Sequence, residues 1–225
     1  MNIALMGAAP SSRLLGPFNN HEWEIWACSP GNHDFPRIDA WFELHSLDRK
    51  WCKGNEPYMA ALERHSRVYI AAPDPRLPNA ILYPKDEILA EYTHFHHTFF
   101  SSQIAWMFAM AIKQKPKSIG LWGIDMAAHD EDAYQRPGCH FFIGEAQKKG
   151  IDLVMPPQSD IGQLHPLYGY KEQWPMYWRQ KARKIELRER LNNANKIIAE
   201  QTAFAQMAEG ALQDVDYVNG TWLKP

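Results

Sequence analysis

No stretch of this 225-residue chain approaches the roughly 20 consecutive apolar residues that a membrane-spanning helix needs. The N-terminus also lacks the basic segment and following apolar run of an export signal. A soluble, cytoplasmic protein is expected. Cysteine is scarce: Cys28, Cys52 and Cys139 are odd in number and far apart, without disulfide-framework or zinc spacing. That excludes a disulfide-stapled secreted domain and fits a reducing compartment. An excess of one charge is missing too. Twenty-four basic against 26 acidic residues leave a net charge of −2, so no global field favours nucleic acid or an anionic membrane. Nucleic acid keeps a role only as an acceptor substrate. Repeats and low-complexity tracts are absent, and glycine is thin in the one turn where it is most wanted, the M-G-A-A-P-S-S that follows the first apolar run.

What is present reads as one α/β domain with an appendage. At 45% hydrophobic content the chain can bury a single sizeable core. Nine Trp, nine Tyr and ten Phe exceed what that core needs, so some are expected to line a groove or an interface. Strands are predicted over residues 2–6, 23–29, 38–45, 67–72, 80–84, 118–125 and 151–156, with prolines confining 67–72 and 80–84 to an edge or to short pieces. Helices are predicted around 13–15, within 55–65, over 101–114 and over 138–150. Ser11 or Ser12 and Ser101 or Ser102 are the N-caps and Gly150 a C-cap. Residues 127–138 read as a long polar loop. The alternation over 101–156 is that of a doubly wound sheet, so the expected fold is Rossmann-like over residues 1–165, mostly parallel with helices on both faces. Residues 166–225 form a helical extension. Its small seam of Leu187, Leu191, Ala194, Ile198, Ala205, Ala208, Leu212 and Val215, interrupted by Gln201, suits a helical hairpin or a coiled-coil contact. Homo-oligomerisation is its expected role, because the seam would otherwise stay wet.

In open α/β sheets ligands bind outside the carboxyl ends of the strands, where turn amides and helix N-termini converge. That edge collects residues 7–12, 29–34, 43–46, 101–102 and 123–140. Gly7 lets the chain turn close to a phosphate, Pro10 fixes the turn, and Ser11 and Ser102 place hydroxyls beside helix amides. The same serines serve equally as plain caps. Asp125 can accept from a ribose or sugar hydroxyl, or cap its own turn. Arg136, beside Pro137 and Gly138, suits a phosphate or carboxylate clamp, with a pairing to Asp130 or Asp132 as the structural alternative. Asp130-Glu131-Asp132 has the D-x-D form that holds a divalent ion on a sugar-nucleotide diphosphate. His94 and His96, alternate residues that would share a strand face, could join His97 and His129 on a metal, or these histidines could line a groove as neutral rings.

The order of these pieces carries a resemblance. A first strand ending in Gly7, Pro10 and Ser11 is followed by Cys28-Ser29-Pro30, then Phe100-Ser101-Ser102 before an Ala-rich helix. Next come Gly123-Ile124-Asp125, a Tyr-bearing loop, a His, and a closing strand ending in prolines. Over about residues 2–160 this resembles the bacterial sialyltransferase-like glycosyltransferases and the related Rossmann-like family of the archaeal 6-hydroxymethylpterin pyrophosphokinase. G-I-D-M with Tyr-Gln-Arg-Pro-Gly is also similar to bacteriophage proteins, which would place the chain in a host cytoplasm. The resemblance implies a transferase with a nucleotide or sugar-nucleotide donor, working without a metal, with Tyr134 on the departing phosphate and His140 as general base. It puts Gly7, Ala8, Pro10, Ser11, Ser29, Ser101, Ser102, Gly123 and Asp125 around the nucleotide, with Arg136 the candidate clamp beside them. Where that family has two asparagines on the nucleotide, this chain has Ala8 and Ser29. A polar group left unpaired costs roughly 1–3 kcal/mol, so the phosphate contacts here are expected to be mainly backbone. Two other readings follow: a non-catalytic protein that sequesters a nucleotide, and a pyrophosphokinase-type phosphotransferase.

Overall fold

The computed structural model describes residues 1–28, 30–49, 52–127, 132–162 and 174–222. In chain order its elements are β1 (Asn2–Met6), β2 (Trp23–Cys28), β3 (Ala40–Glu43), α1 (Glu56–Arg64), β4 (Val68–Ile70), β5 (Ile81–Leu82), α2 (Lys85–Leu89), α3 (Gln103–Lys113), β6 (Ser118–Trp122), α4 (Asp132–Lys148), β7 (Asp152–Val154) and α5 (Trp174–Thr221). Short 3-10 turns lie at Arg13–Leu15, Pro30–Asn32, His94–Phe99 and Asp160–Gly162. The chain divides into two compact units, Met1–Gln163 and Leu164–Pro225.

Successive side chains of a strand point to opposite faces, and the first unit uses both. Ile3 and Leu5 of β1, Trp26 and Cys28 of β2, and Ile119 and Leu121 of β6 enter one core; Ala4, Met6, Ile25, Ala27 and Trp122 enter the other. Such strands read as continuous apolar runs, the signature of a parallel sheet covered on both sides. The seven strands are all parallel, in the order β5-β4-β3-β2-β1-β6-β7. From β1 the sheet grows one way through β2 and the other way through β6, so the topological switch lies between β1 and β6. α3 and α4 join the first core and α1 the second. α3 is apolar around its circumference, and its Ser102 side chain accepts from the Ala105 amide at 3.1 Å, which settles which serine is the cap. β5 is the expected edge strand, short and exposed between prolines.

Three expectations need correcting, and one helix was not foreseen. Residues 132–138 are not loop but the first turns of α4, with Pro137 inside the helix. Gly138 makes this possible, because a Cβ there would lie 2.7 Å from Ser101 Oγ and overlap the Phe99 carbonyl, so only glycine lets the helix settle on that segment. His94, His96 and His97 sit on a 3-10 turn rather than a strand, held by aromatic packing such as His96 on Phe141 at 4.9 Å, so they share no strand face. His129 lies outside the described residues, as does Glu131. α2 gave no signal in the sequence. Within the C-terminal unit the described residues form one 48-residue helix, not a hairpin, and no proline or glycine falls between residues 176 and 209. Among the described residues no helix is long and apolar enough to cross a membrane.

Two consequences are measurable. Gly120 of β6 leaves room for two tryptophans packed edge to face, 5.2 Å between centroids; a Cβ would overlap the Trp122 ring and lie 3.0 Å from that of Trp23. Gly120→Ala should lower unfolding stability by about 1–3 kcal/mol, seen as a lower urea midpoint at unchanged slope. The buried thiols give a pH signature. Burial pushes Cys28 and Cys139 up to about 12, and burial with the neighbouring Glu43 charge pushes Cys52 up to about 11, from an ordinary value of 9.0. Above pH 9 the unfolded chain loses protons that the folded chain keeps, so stability should fall from there upward. Equal urea midpoints at pH 8 and pH 10 would contradict this.

Candidate functional site

At the carboxyl end of β1 the chain stays in register with β6 beyond both strands: Gly7 N donates to Trp122 O and Ala9 N to Gly123 O, each at 2.8 Å. The two backbones then come so close that neither glycine can carry a side chain. A Cβ on Gly7 would overlap Gly123 O and lie 2.8 Å from Ile124; one on Gly123 would overlap Gly7 O. Gly123 also has φ +66°, a conformation that glycine adopts without strain. Ala8 and Pro10 are exposed at the apex of this turn.

Ser11 and Ser12 are buried and neither caps the Arg13–Leu15 turn. Ser12 Oγ accepts from Gly123 N at 2.8 Å, and Ser11 Oγ donates to Asp125 Oδ1 at 2.7 Å. The same Asp125 oxygen accepts from the Asp160 amide at 3.2 Å. Asp125 therefore ties three loops, those after β1, β6 and β7. Arg136 strengthens the last two: its guanidinium donates to Met126 O at 3.1 Å and Asp160 O at 2.6 Å, with a longer contact to Asp125 O at 3.4 Å. Ser159 Oγ donates to Ile124 O at 2.6 Å, and His140 Nε2 bonds Ile161 O at 3.1 Å. The structure thus gathers Ser11, Asp125, Arg136 and His140 at one edge. Arg136 reaches backbone carbonyls there, whereas the sequence pointed to Asp130, which lies outside the described residues, or Asp132. Ser101 donates to Tyr134 O at 2.8 Å, joining the starts of α3 and α4, and leaves the Tyr134 side chain exposed. Ser29 is outside the described residues.

Three groups at this edge were not singled out in the sequence, although Asn32 and Glu43 fall within stretches it placed there. Asn32 is fully buried, and its Nδ2 donates to Cys28 O at 2.8 Å and Gly7 O at 3.0 Å, pinning the ends of β1 and β2 together. Its Oδ1 has no partner among the described residues. Its only signal was a place in the P-G-N turn after a strand. Arg13 lies against Gly123, bonds Gly31 O at 2.7 Å and stands over the Phe35 ring at 5.4 Å. The third is a buried carboxylate at the end of β3. Glu43 accepts from His45 N at 3.1 Å, from Tyr58 Oη at 2.6 Å and, weakly, from Cys52 Sγ at 3.9 Å, and pairs with His45 Nδ1 at 2.7 Å. Trp41 Nε1 in turn donates to Tyr58 Oη at 3.1 Å. Burial first and the Glu43 charge second push the Tyr58 phenol far above its ordinary range, so it stays a donor. Gln103, the first residue of α3, donates to Phe42 O and accepts from Leu44 N, which brings this pair beside the capped end of α3.

A cleft of about 590 Å³ lies elsewhere, at the amino ends of β1 and β2 around Asn2, Trp23 and Arg37. Arg37 is spent there on Asp39 and on the Asn20 and Trp23 carbonyls. Helix N-termini and turn amides converge on the opposite edge, which keeps the candidate site at the carboxyl ends. Among the described residues no group of three His, Cys, Asp or Glu could hold a metal ion.

No protein-family model matches the chain. No curated protein sequence matches it either. Some solved structures are similar to it at low identity. The sialyltransferase CstII of Campylobacter jejuni, in complex with cytidine-5'-monophosphate, is 14% identical with a TM-score of 0.45, covering 79% of this chain and 99% of that one. CST-II in complex with a trisaccharide acceptor and CMP gives 14% identity and a TM-score of 0.47 over 80% and 99%. The monofunctional alpha-2,3-sialyltransferase Cst-I of Campylobacter jejuni gives 13% and 0.44 over 83% and 95%.

Proposed function

We propose that this chain is a transferase acting on a nucleotide-activated donor, a glycosyltransferase of the kind its motif order resembles. The observation that carries the reading is the glycine-against-glycine approach of β1 and β6 at the switch point. The turn that follows, with only Ala8 and Pro10 exposed at its apex, lies at the carboxyl edge of a parallel sheet, where a phosphate can come within backbone range. Asp125 stands beside it as an acceptor for a sugar hydroxyl. Arg136, held on carbonyls, positions the loops instead of gripping the phosphate. The transfer step takes a proton from an acceptor hydroxyl, forms the new glycosidic bond and releases the nucleotide. Two histidines fit the base. His140, the choice the resemblance makes, spends Nε2 on a carbonyl and would accept a proton at Nδ1. His45 has the stronger setting, because a buried carboxylate fixes its ring through Nδ1, the arrangement that orients a general base. A sequestering protein would keep the turn and need neither histidine.

Thermal shift against a panel of nucleotides and sugar nucleotides, followed by product analysis, tests the proposal. A true donor at 100 times its dissociation constant adds about 2.7 kcal/mol of stability and is turned over. Binding without turnover supports sequestration, and no stabilisation by any nucleotide sinks both readings. Of His45→Gln and His140→Ala, the one that removes the base should lose about 10²–10⁴ in rate with donor affinity kept. The other should stay within about tenfold of the parent.

A further inference from the structure

Charge along α5 runs against its own dipole. Residues 174–196 carry seven cations (Arg179, Lys181, Arg183, Lys184, Arg188, Arg190 and Lys196) and two anions, Glu186 and Glu189. Residues 197–221 carry Glu200, Glu209, Asp214 and Asp216 and no Lys or Arg. A helix is partly positive at its N-terminus and partly negative at its C-terminus, so cations belong last and anions first. α5 has the reverse. Within the helix, Glu186 pairs with Arg183 and Arg190.

The seam from Leu187 to Val215 is exposed along the same 48-residue helix, with Leu191 61% and Phe204 69% accessible, and Ile197, Phe204 and Val218 widen it on one flank. An apolar stripe of that length marks an interface. We propose that its occupant is a second copy of this chain, and that the two α5 helices run antiparallel. Antiparallel pairing sets the basic half of each helix against the acidic half of the other and opposes the two macrodipoles. A parallel pair would stack seven cations on seven. Arg188, Glu209 and Asp216 each follow a seam residue directly (Leu187, Ala208 and Val215), so they lie on one flank. In an antiparallel pair like flanks meet, and Arg188 of each copy comes opposite Glu209 or Asp216 of the other. Such contacts act at both ends of the seam. This inference stands whether or not the chain transfers a group.

The test uses the full chain. Light scattering should give a dimer whose dissociation constant rises with salt, since exposed charges are screened over about 10 Å at 0.1 M. Arg188→Glu should weaken association about tenfold, and adding Glu209→Arg with Asp216→Arg should restore it. Orientation is read from a spin label on Lys184→Cys, with the unlabelled parent as control because the three native thiols are buried. For a crossing centred near residue 200, the two labels should lie roughly 50 Å apart at 1.5 Å per residue. A parallel pair would put them roughly 10–20 Å apart, given helix axes about 8–10 Å from one another. A monomer at every concentration overturns the proposal, and so does the short distance or an Arg188→Glu chain that associates like the parent.

Discussion

β1 and β6 run side by side past their last strand residues until Gly7 and Gly123 meet backbone to backbone, and most of the carboxyl edge is arranged around that contact. With no Cβ on either side, Gly123 can turn at positive φ and present its amide to Ser12. Ser12 is thereby drawn inward, Ser11 follows onto Asp125, and Asp125 reaches the loop after β7. Asn32 approaches from the other side and bonds Gly7 O. Three successive loops are held by a few polar groups because the glycines remove the bulk that would keep them apart. Close-packed interiors give little at such a point, so a single methyl group there would displace the network as a whole.

A second anchor stands two strands away. A carboxylate inside a protein is costly unless its lone pairs are filled, and Glu43 fills them from His45, Tyr58 and Cys52. The arrangement constrains every member. Tyr58 of α1 is fixed by Glu43 and Trp41, so α1 is tied to the end of β3 by hydrogen bonds as well as by apolar packing. Gln103 does the same for α3 from the opposite face. The imidazole at the rim is thus the outer end of a chain of donors rooted in the core, whereas His140 hangs from a single loop carbonyl.

What could be read from the sequence follows from the range of the forces involved. Apolar runs such as NIALM and SIGLW announce buried parallel strands because burial on both faces leaves a local mark, and Ser102 before an Ala-rich helix announces its cap. Pro137-Gly138 misled, since that pair usually breaks helices. Here the glycine is required by a neighbour, the Phe99 carbonyl, that lies far off in the chain. His94–Phe99 misled for a related reason: alternating histidines look like a strand face until ring packing onto Phe141 winds them into a tight turn. Of the site, the positions of Gly7, Ser11 and Asp125 at one edge were legible, and the partners of Arg136 were not. Guanidinium groups that bond backbone carbonyls leave no complementary side chain in the sequence to find.

That last point bears on what the site can distinguish. Ser11, Ser12 and Arg136 spend their polar groups inside the protein, Asn32 turns its amide toward strand ends, and Ala8 has no polar group to offer. What this edge would offer the proposed donor is backbone and Asp125. Backbone amides recognise phosphate charge without regard to the base attached to it, and a carboxylate recognises a hydroxyl without regard to which sugar bears it. Discrimination of a base by hydrogen bonding needs groups that are left unpaired when the wrong base binds, and none of the described side chains in the turn after β1 meets that condition. If the chain takes the proposed donor, selectivity would have to come from elements farther out along the edge, where His45 and Tyr134 stand. On the proposed function, the turn after β1 would supply grip and the rim of the edge would supply specificity.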